Sequence, residues 1–142
     1  MNTEDIVAIE QLMALYGHTV DADDQSMFAE VFTEDAVFDA RPSGWGLLEG
    51  REAIAAWFAL GKPPHPPSHQ MTNCHVYRQD NETRVRSKWL FINRKSGSLV
   101  SGDYNDVVVR TASGWRIKHR CFLVRYPEVY QTTGPNGAPD QA

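Results

Sequence analysis

Residues 16–38 read YGHTVDADDQSMFAEVFTEDAVF, and the change of period along this stretch decides what the chain can fold into. Up to Val20 the apolar residues follow a helix. Ile6, Ile9, Leu12, Met13, Tyr16 and Val20 fall three or four apart and share one face over residues 3–20. Thr3, followed by Glu4 and Asp5, suits the helix start, since a hydroxyl cap and early acids answer the free N–H groups and the dipole. Tyr16 lies on the buried face and His18 points elsewhere. Asp21 follows where the helix should end, and Asp23 or Asp24 can cap a second helix over 25–32, with Met27, Phe28, Val31 and Phe32 as its apolar residues. Thr33-Glu34-Asp35 reads as a turn, and Ala36–Ala40 as a first strand.

Working outward, Pro42, Gly44, Gly46 and Gly50 interrupt the chain and leave room for a short hairpin around Trp45–Leu48. A third helix is expected over 51–60, with Ile54, Trp57, Phe58 and Leu60 against Arg51 and Glu52. GKPPHPPS, 61–68, carries four prolines, which remove donors and fix φ, so it reads as a stiff loop delivering the chain to His69. Strands follow over 69–78, 83–93, 99–111 and 115–126, joined by short polar turns of the kind that connect antiparallel neighbours. The expected architecture is α+β: three N-terminal helices on one face of a strongly curved antiparallel sheet, a cone-shaped barrel enclosing a pocket. One domain is expected over 1–130, with a polar, Pro/Gly-rich tail at 131–142 that is frayed or draped on a neighbour. In the strand 83–93 one inward parity is Val85, Ser87, Trp89, Phe91 and Asn93; in the strand before it, His69, Met71, Asn73, His75 and Tyr77 share a parity unless a bulge intervenes.

The bulk properties narrow the function classes. The chain is 42% apolar and 23% charged with a net charge of −4, the composition of a soluble globule. Its closest approach to a basic run, Arg84, Arg86 and Lys88, alternates along a strand and reads as one solvated face, so no nucleic-acid partner is expected. No apolar run reaches the ~20 residues of a membrane helix, and MNTEDIVAIE is unlike a secretory leader. Cys74 and Cys121 are isolated thiols in apolar surroundings, read as reduced residues of a cytoplasmic protein. His18, His65, His75 and His119 share no metal-ligand spacing, so no metal site is expected, and no other cofactor is expected either.

Several motifs, in their order and spacing, carry a resemblance. They are Tyr16 and Asp21 at the end of the first helix and Phe32-Thr33-Glu34-Asp35-Ala36 into the first strand. His69 with Asn73, then Gly102, Tyr104 and Asp106 at alternate positions, and Gly114-Trp115-Arg116-Ile117 complete the set. Together they resemble the nuclear-transport-factor-2-like superfamily and its SnoaL-like branch, which includes scytalone dehydratase, bile-acid 7α-dehydratase, hexachlorocyclohexane dehydrochlorinase and polyketide cyclases. The resemblance covers the chain to about residue 126. It implies that Asp21 pairs with His69, that Tyr16 takes part as in the bile-acid dehydratase type, and that Arg125 matches an arginine near the end of the last strand. It also implies a homo-oligomer, with a trimer favoured over a dimer. The second histidine of scytalone dehydratase has no counterpart in 83–93, where Trp89 and Phe91 stand.

These residue types suit acid–base chemistry. His69 is the natural general base near neutral pH, and the Asp21 carboxylate would fix its tautomer and stabilise the imidazolium. Tyr16 could donate to a developing oxyanion, Arg125 could hold an anionic group, and Asn73 could orient substrate. The expected activity is a cofactor-independent lyase acting by dehydration or by retro-aldol or deformylating cleavage. Its substrate would be small, hydrophobic, hydroxylated and aromatic or polycyclic, bound by Phe38, Trp57, Trp89, Phe91 and Tyr104. Structural alternatives stand beside each role. Asp21 can be a helix-end cap, His69 a satisfied core histidine, Tyr16 plain core, and Arg125 a surface or interface ion pair. His18, His65, His75 and His119 read as structural or solvated. Two other functions remain open: a non-catalytic accessory subunit or binding module like the β subunit of ring-hydroxylating dioxygenases, and a ketosteroid-isomerase-like isomerase or polyketide cyclase. The isomerase would need Asp39 or Asp106 as a carboxylate base in the pocket.

Overall fold

The structure is a computed structural model and describes residues 1–22, 24–60, 68–93 and 96–127. The proline-rich loop before Ser68, Asp23 and the tail after Pro127 lie outside the described residues. Helix α1 runs over Thr3–Ala22 and turns Ile9, Leu12, Met13, Tyr16 and Val20 into the core. Its cap is Asn2 rather than Thr3: the Asn2 side-chain oxygen accepts from the Asp5 N–H at 2.8 Å. The helix outlasts its expected end, which places Asp21 inside the last turn instead of after it.

The second helix divides. Asp24 caps a 3₁₀ turn at Gln25–Met27 by accepting from the Ser26 N–H at 3.1 Å, and α2 is the single turn Phe28–Val31. Strand β1 then spans Phe32–Asp39, earlier than expected, and the Thr33–Asp35 turn survives only as a register shift between Phe32 and Val37. Strand β2 (Leu47–Glu49) folds back on β1, and α3 occupies Arg51–Leu60. Four long strands follow: β3 (Gln70–Gln79), β4 (Glu82–Ile92), β5 (Leu99–Thr111) and β6 (Gly114–Tyr126).

The six strands form one open sheet in the order β2-β1-β6-β5-β4-β3. It is mixed rather than wholly antiparallel, because β6 inserts beside β1 and the two run parallel. Helix α1 touches both β3 and β6. Three strand spacings, roughly 14 Å, separate those strands in a flat sheet, so a single helix reaches both only if the sheet curls around it. Bulges at Ser101/Gly102 and Val107/Val108 in the β5–β6 ladder and at Thr72/His75 in the β3–β4 ladder supply that bend.

The alternation of Gly102, Tyr104 and Asp106 is the inner face of β5, and each serves one level of the core. Gly102 lies opposite Trp89 in the ladder, and a Cβ there would stand 1.9 Å from the Leu123 carbonyl oxygen and 2.6 Å from the Trp89 ring. Only glycine lets the indole lie flat on the strand. Tyr104 meets Tyr16 of α1, hydroxyl to hydroxyl at 2.9 Å. Asp106 meets Arg120, its register partner on β6.

Candidate functional site

Asp21 and His69 converge although 48 positions separate them in sequence. The Asp21 Oδ1 atom lies 2.5 Å from His69 Nδ1, and Oδ2 accepts the His69 backbone N–H at 2.7 Å. Both carboxylate oxygens are therefore committed to one residue, which fixes the imidazole in place and in plane. With Asp21 ionised, Nδ1 carries the proton and Nε2 is the basic nitrogen. The His69 side chain is 6% exposed and that of Asp21 21%. Gly17 makes the approach possible: a Cβ on it would sit 3.0 Å from the His69 carbonyl oxygen. An open groove of about 370 Å³, lined by Ala14, His18, Asp21 and Ser68–Met71, runs along this junction.

A column of aromatic rings leads to His69 from within the fold. Trp45 stacks on Phe122 at 4.6 Å, Phe122 on Trp89 at 4.8 Å, Trp89 on Phe91 at 5.3 Å, and the Phe91 ring lies 5.1 Å from the imidazole. Phe38, Trp89, Phe91 and Tyr104 are all at least 95% buried and serve this core; Trp57 is half-buried against Phe38 and Phe58. Of the five aromatic residues expected to contact substrate, Phe91 is the one whose ring faces the imidazole.

Three expected site residues are placed elsewhere. Arg125 follows the inward Val124, so it points to the outer face of the sheet, where it pairs with Asp103 beside Lys88. Asn73 sits in the β3 bulge with φ of 52°, and the extra residue shifts the parity. Met71, Cys74 and Val76 pack against the core, whereas Asn73 and His75 are exposed on the outer face. Tyr16 is fully buried, and its hydroxyl is engaged by Tyr104 instead of facing a cavity.

Arg120 is the interior charge that strand periodicity did not reveal. Its side chain has no exposed surface, its guanidinium lies 4.0 Å from the Tyr16 ring centre and 3.9 Å from that of Tyr104, and Asp106 binds it through two hydrogen bonds at 2.9 and 2.7 Å. Burial pushes the Asp106 carboxyl up, and Arg120 opposes that push. Burial works against the Arg120 charge, but Asp106 outweighs it and keeps the guanidinium protonated. Burial likewise raises the Tyr16 hydroxyl, and that of Tyr104 further. The cue was Asp106 itself: an acid on an inward parity implies a cation opposite it. The two carboxylates named for the isomerase alternative are both paired, Asp106 with the buried Arg120 and Asp39 with Arg41 at 2.7 and 2.8 Å.

Cys74 and Cys121 are free thiols. Among the described residues no group of three or more His, Cys, Asp or Glu is arranged to hold a metal ion, and no helix is long and apolar enough to cross a membrane.

Residues 1–121 match the model of the SnoaL-like domain. The chain belongs to the SnoaL-like family. Among solved structures, a candidate aromatic ring hydroxylase from Novosphingobium aromaticivorans is 30% identical over 89% of this chain and 93% of its own, with a TM-score of 0.75. A Mycobacterium tuberculosis protein of unknown function shares the fold at TM-score 0.77 and 20% identity, covering 99% of this chain and 91% of its own. So does a candidate scytalone dehydratase from N. aromaticivorans, at TM-score 0.68 and 23% identity over 94% of this chain and 91% of its own. No curated protein matches the chain. SnoaL-like membership places it in a family that includes enzymes of the scytalone dehydratase type.

Proposed function

We propose that this SnoaL-like protein is a cofactor-independent lyase that removes water from a small hydrophobic, hydroxylated substrate, aromatic or polycyclic in character. The observation that carries the reading is the clamp of Asp21 on both the ring and the backbone of His69. A carboxylate spending both oxygens on one histidine produces an oriented base with Nε2 as its working atom. The Phe91 ring against the imidazole gives that base an apolar wall, suited to a planar ligand.

Because Tyr16 is sealed against Tyr104, one imidazole does both proton transfers. His69 Nε2 takes a proton from the carbon next to the hydroxyl-bearing one, and the C–H electron pair is held as a carbanion delocalised into the substrate's conjugated system. The imidazolium then gives that proton to the hydroxyl oxygen as the pair forms the double bond and the C–O bond breaks, releasing water. Asp21 stabilises the imidazolium between the two steps. Proton and leaving group therefore depart from the same face. Acid–base catalysis of this kind contributes about 10²–10⁴-fold, and positioning against the aromatic wall supplies the rest.

The test is a panel of hydroxylated aromatic, polycyclic and steroid compounds, followed by the absorbance of the conjugated product. His69→Ala and Asp21→Asn should each lower turnover at least ~10²-fold with the fold intact. Near-wild-type turnover in either variant would sink the dyad, and loss of deuterium from the opposite face would sink the single-base route. The name of the 30% identical neighbour supports a second reading, an accessory subunit in aromatic ring hydroxylation. A stoichiometric oxygenase recovered with the protein, with His69→Ala indifferent, would favour it.

A further inference from the structure

Two buried donors on β4 have no partner among the described residues: the Trp89 indole Nε1–H and the Ser87 hydroxyl. Trp89 is fully buried and Ser87 is 4% exposed. A folded interior pairs nearly all such groups, because a buried donor left unmatched forfeits the hydrogen bonds it made to water. Both side chains face inward, on the same parity as Phe91, whose ring lies against the His69 imidazole. Successive residues of one parity stand about 7 Å apart along a strand. In order from His69, the inner face of β4 therefore presents an apolar ring, an indole N–H and a hydroxyl.

Packing fixes the indole. Phe122 and Phe91 stack on it at 4.8 and 5.3 Å, and the missing side chain of Gly102 lets it lie against β5. Stacking occupies ring faces and leaves the edge, which carries the N–H. Tyr16 is the oxygen donor that the sequence suggests, but its hydroxyl is engaged by Tyr104. On the strand that carries Phe91, the unmatched donors are those of Trp89 and Ser87.

We propose that the Trp89 indole N–H holds a ring oxygen of the ligand, a carbonyl or phenolate, at the end remote from the carbon that meets His69. An indole N–H can only donate, so the group that answers it is an acceptor. On a hydroxylated aromatic ligand that acceptor is an oxygen attached to the ring system. The spacing along β4 then sets the ligand class: a fused-ring compound with its reacting carbon at the Phe91 level and its second oxygen one level further in. The inference deepens the lyase reading and rests on it for one consequence. The electron pair released at carbon is delocalised onto this oxygen, and the N–H stabilises the charge that develops there.

The test is the indole N–H region of the proton–nitrogen correlation spectrum of the full chain, where the resonance missing from Trp89→Phe is that of Trp89. The probes are 1-naphthol and naphthalene, which differ by the oxygen. 1-Naphthol should move the Trp89 resonance downfield, as a new hydrogen bond does, and naphthalene should not. In titration calorimetry Trp89→Phe should weaken 1-naphthol ~5–10-fold and leave naphthalene within about twofold. If that variant does not fold, Trp45→Phe, Trp57→Phe and Trp115→Phe assign the resonance by elimination and the shift decides. Binding of 1-naphthol without the shift, an equal shift by naphthalene, or undiminished affinity in a folded Trp89→Phe would each overturn the proposal, as would no binding of 1-naphthol at all. An internal water held by the N–H gives the first of these outcomes. His69→Ala keeps the two readings apart: it should lose turnover and retain the naphthol shift. A wild type that shows the shift but turns over no hydroxylated compound ends the lyase reading alone.

Discussion

Asp106→Asn is the most informative single perturbation of the fold. It leaves the Arg120 guanidinium charged, with no exposed surface, between two phenol rings and a neutral amide. Breaking a buried ion pair from one side costs about 3–5 kcal/mol. The two rings offset little of this, since they already face the cation in the wild type and each contributes about 0.5–2 kcal/mol. Against a total stability of roughly 5–15 kcal/mol the loss is large. With a urea m-value near 2 kcal/mol per molar, the midpoint should fall by about 1.5–2.5 M. Removing both charges, Arg120→Met with Asp106→Leu, should restore stability to within about 1.5 kcal/mol of wild type, because no ion is left to desolvate. Urea unfolding followed by tryptophan fluorescence measures all three proteins. If Asp106→Asn costs less than about 1 kcal/mol, water reaches the guanidinium and the sealed interior described above is wrong.

Other expectations follow from single contacts. Gly102→Ala should cost about 3 kcal/mol or more, or abolish folding, because the added carbon meets the Leu123 backbone and the Trp89 ring at once. Gly17→Ala separates stability from catalysis: helix propensity gains about 1 kcal/mol while the His69 carbonyl must retreat. Its melting temperature should barely move and its turnover should fall ~10-fold; an unchanged turnover would show that the dyad tolerates the shift. Burial raises the Asp103 carboxyl, but Lys88 and Arg125 outweigh it and hold the group below its usual value of 3.8. The stabilisation is thus complete above that value and lost as pH falls through the lower folded one. Asp103→Asn should flatten the acid limb of the stability curve slightly, by less than about 1 kcal/mol given the exposure of its partners. Burial pushes the Cys74 thiol up to about 11 from 9.0, so its alkylation near neutral pH should be ~10²-fold slower than that of a free thiol and should recover in urea.

The reading of the fold and its partial failure at the site have one cause. Amphipathic period and turn residues are local, and they placed α1, α3 and the four long strands close to their observed bounds. Orientation within a strand depends on every bulge before it. One extra residue in β3 was enough to send Asn73 outward and bring Cys74 in. Asp21 and His69 were legible because both lie at element ends, where motif spacing survives such shifts. Arg125 was left open between pocket and surface because an arginine near a strand end looks the same whichever way it points.

The sequence by itself determined the α+β class, the order of elements and the family, and the resemblance implied the pairing of Asp21 with His69 that the structure shows. Only the tertiary structure decided what the other polar residues do. It drew Arg120 between Tyr16 and Tyr104 and put Arg125 on the outside, paired with Asp103. The physical reason is that a charged residue on a strand is solvated by default. It goes inside only when a partner stands on the neighbouring strand at the same level, as Asp106 does for Arg120. That coincidence is a property of register, and register is not written in any one segment of the chain.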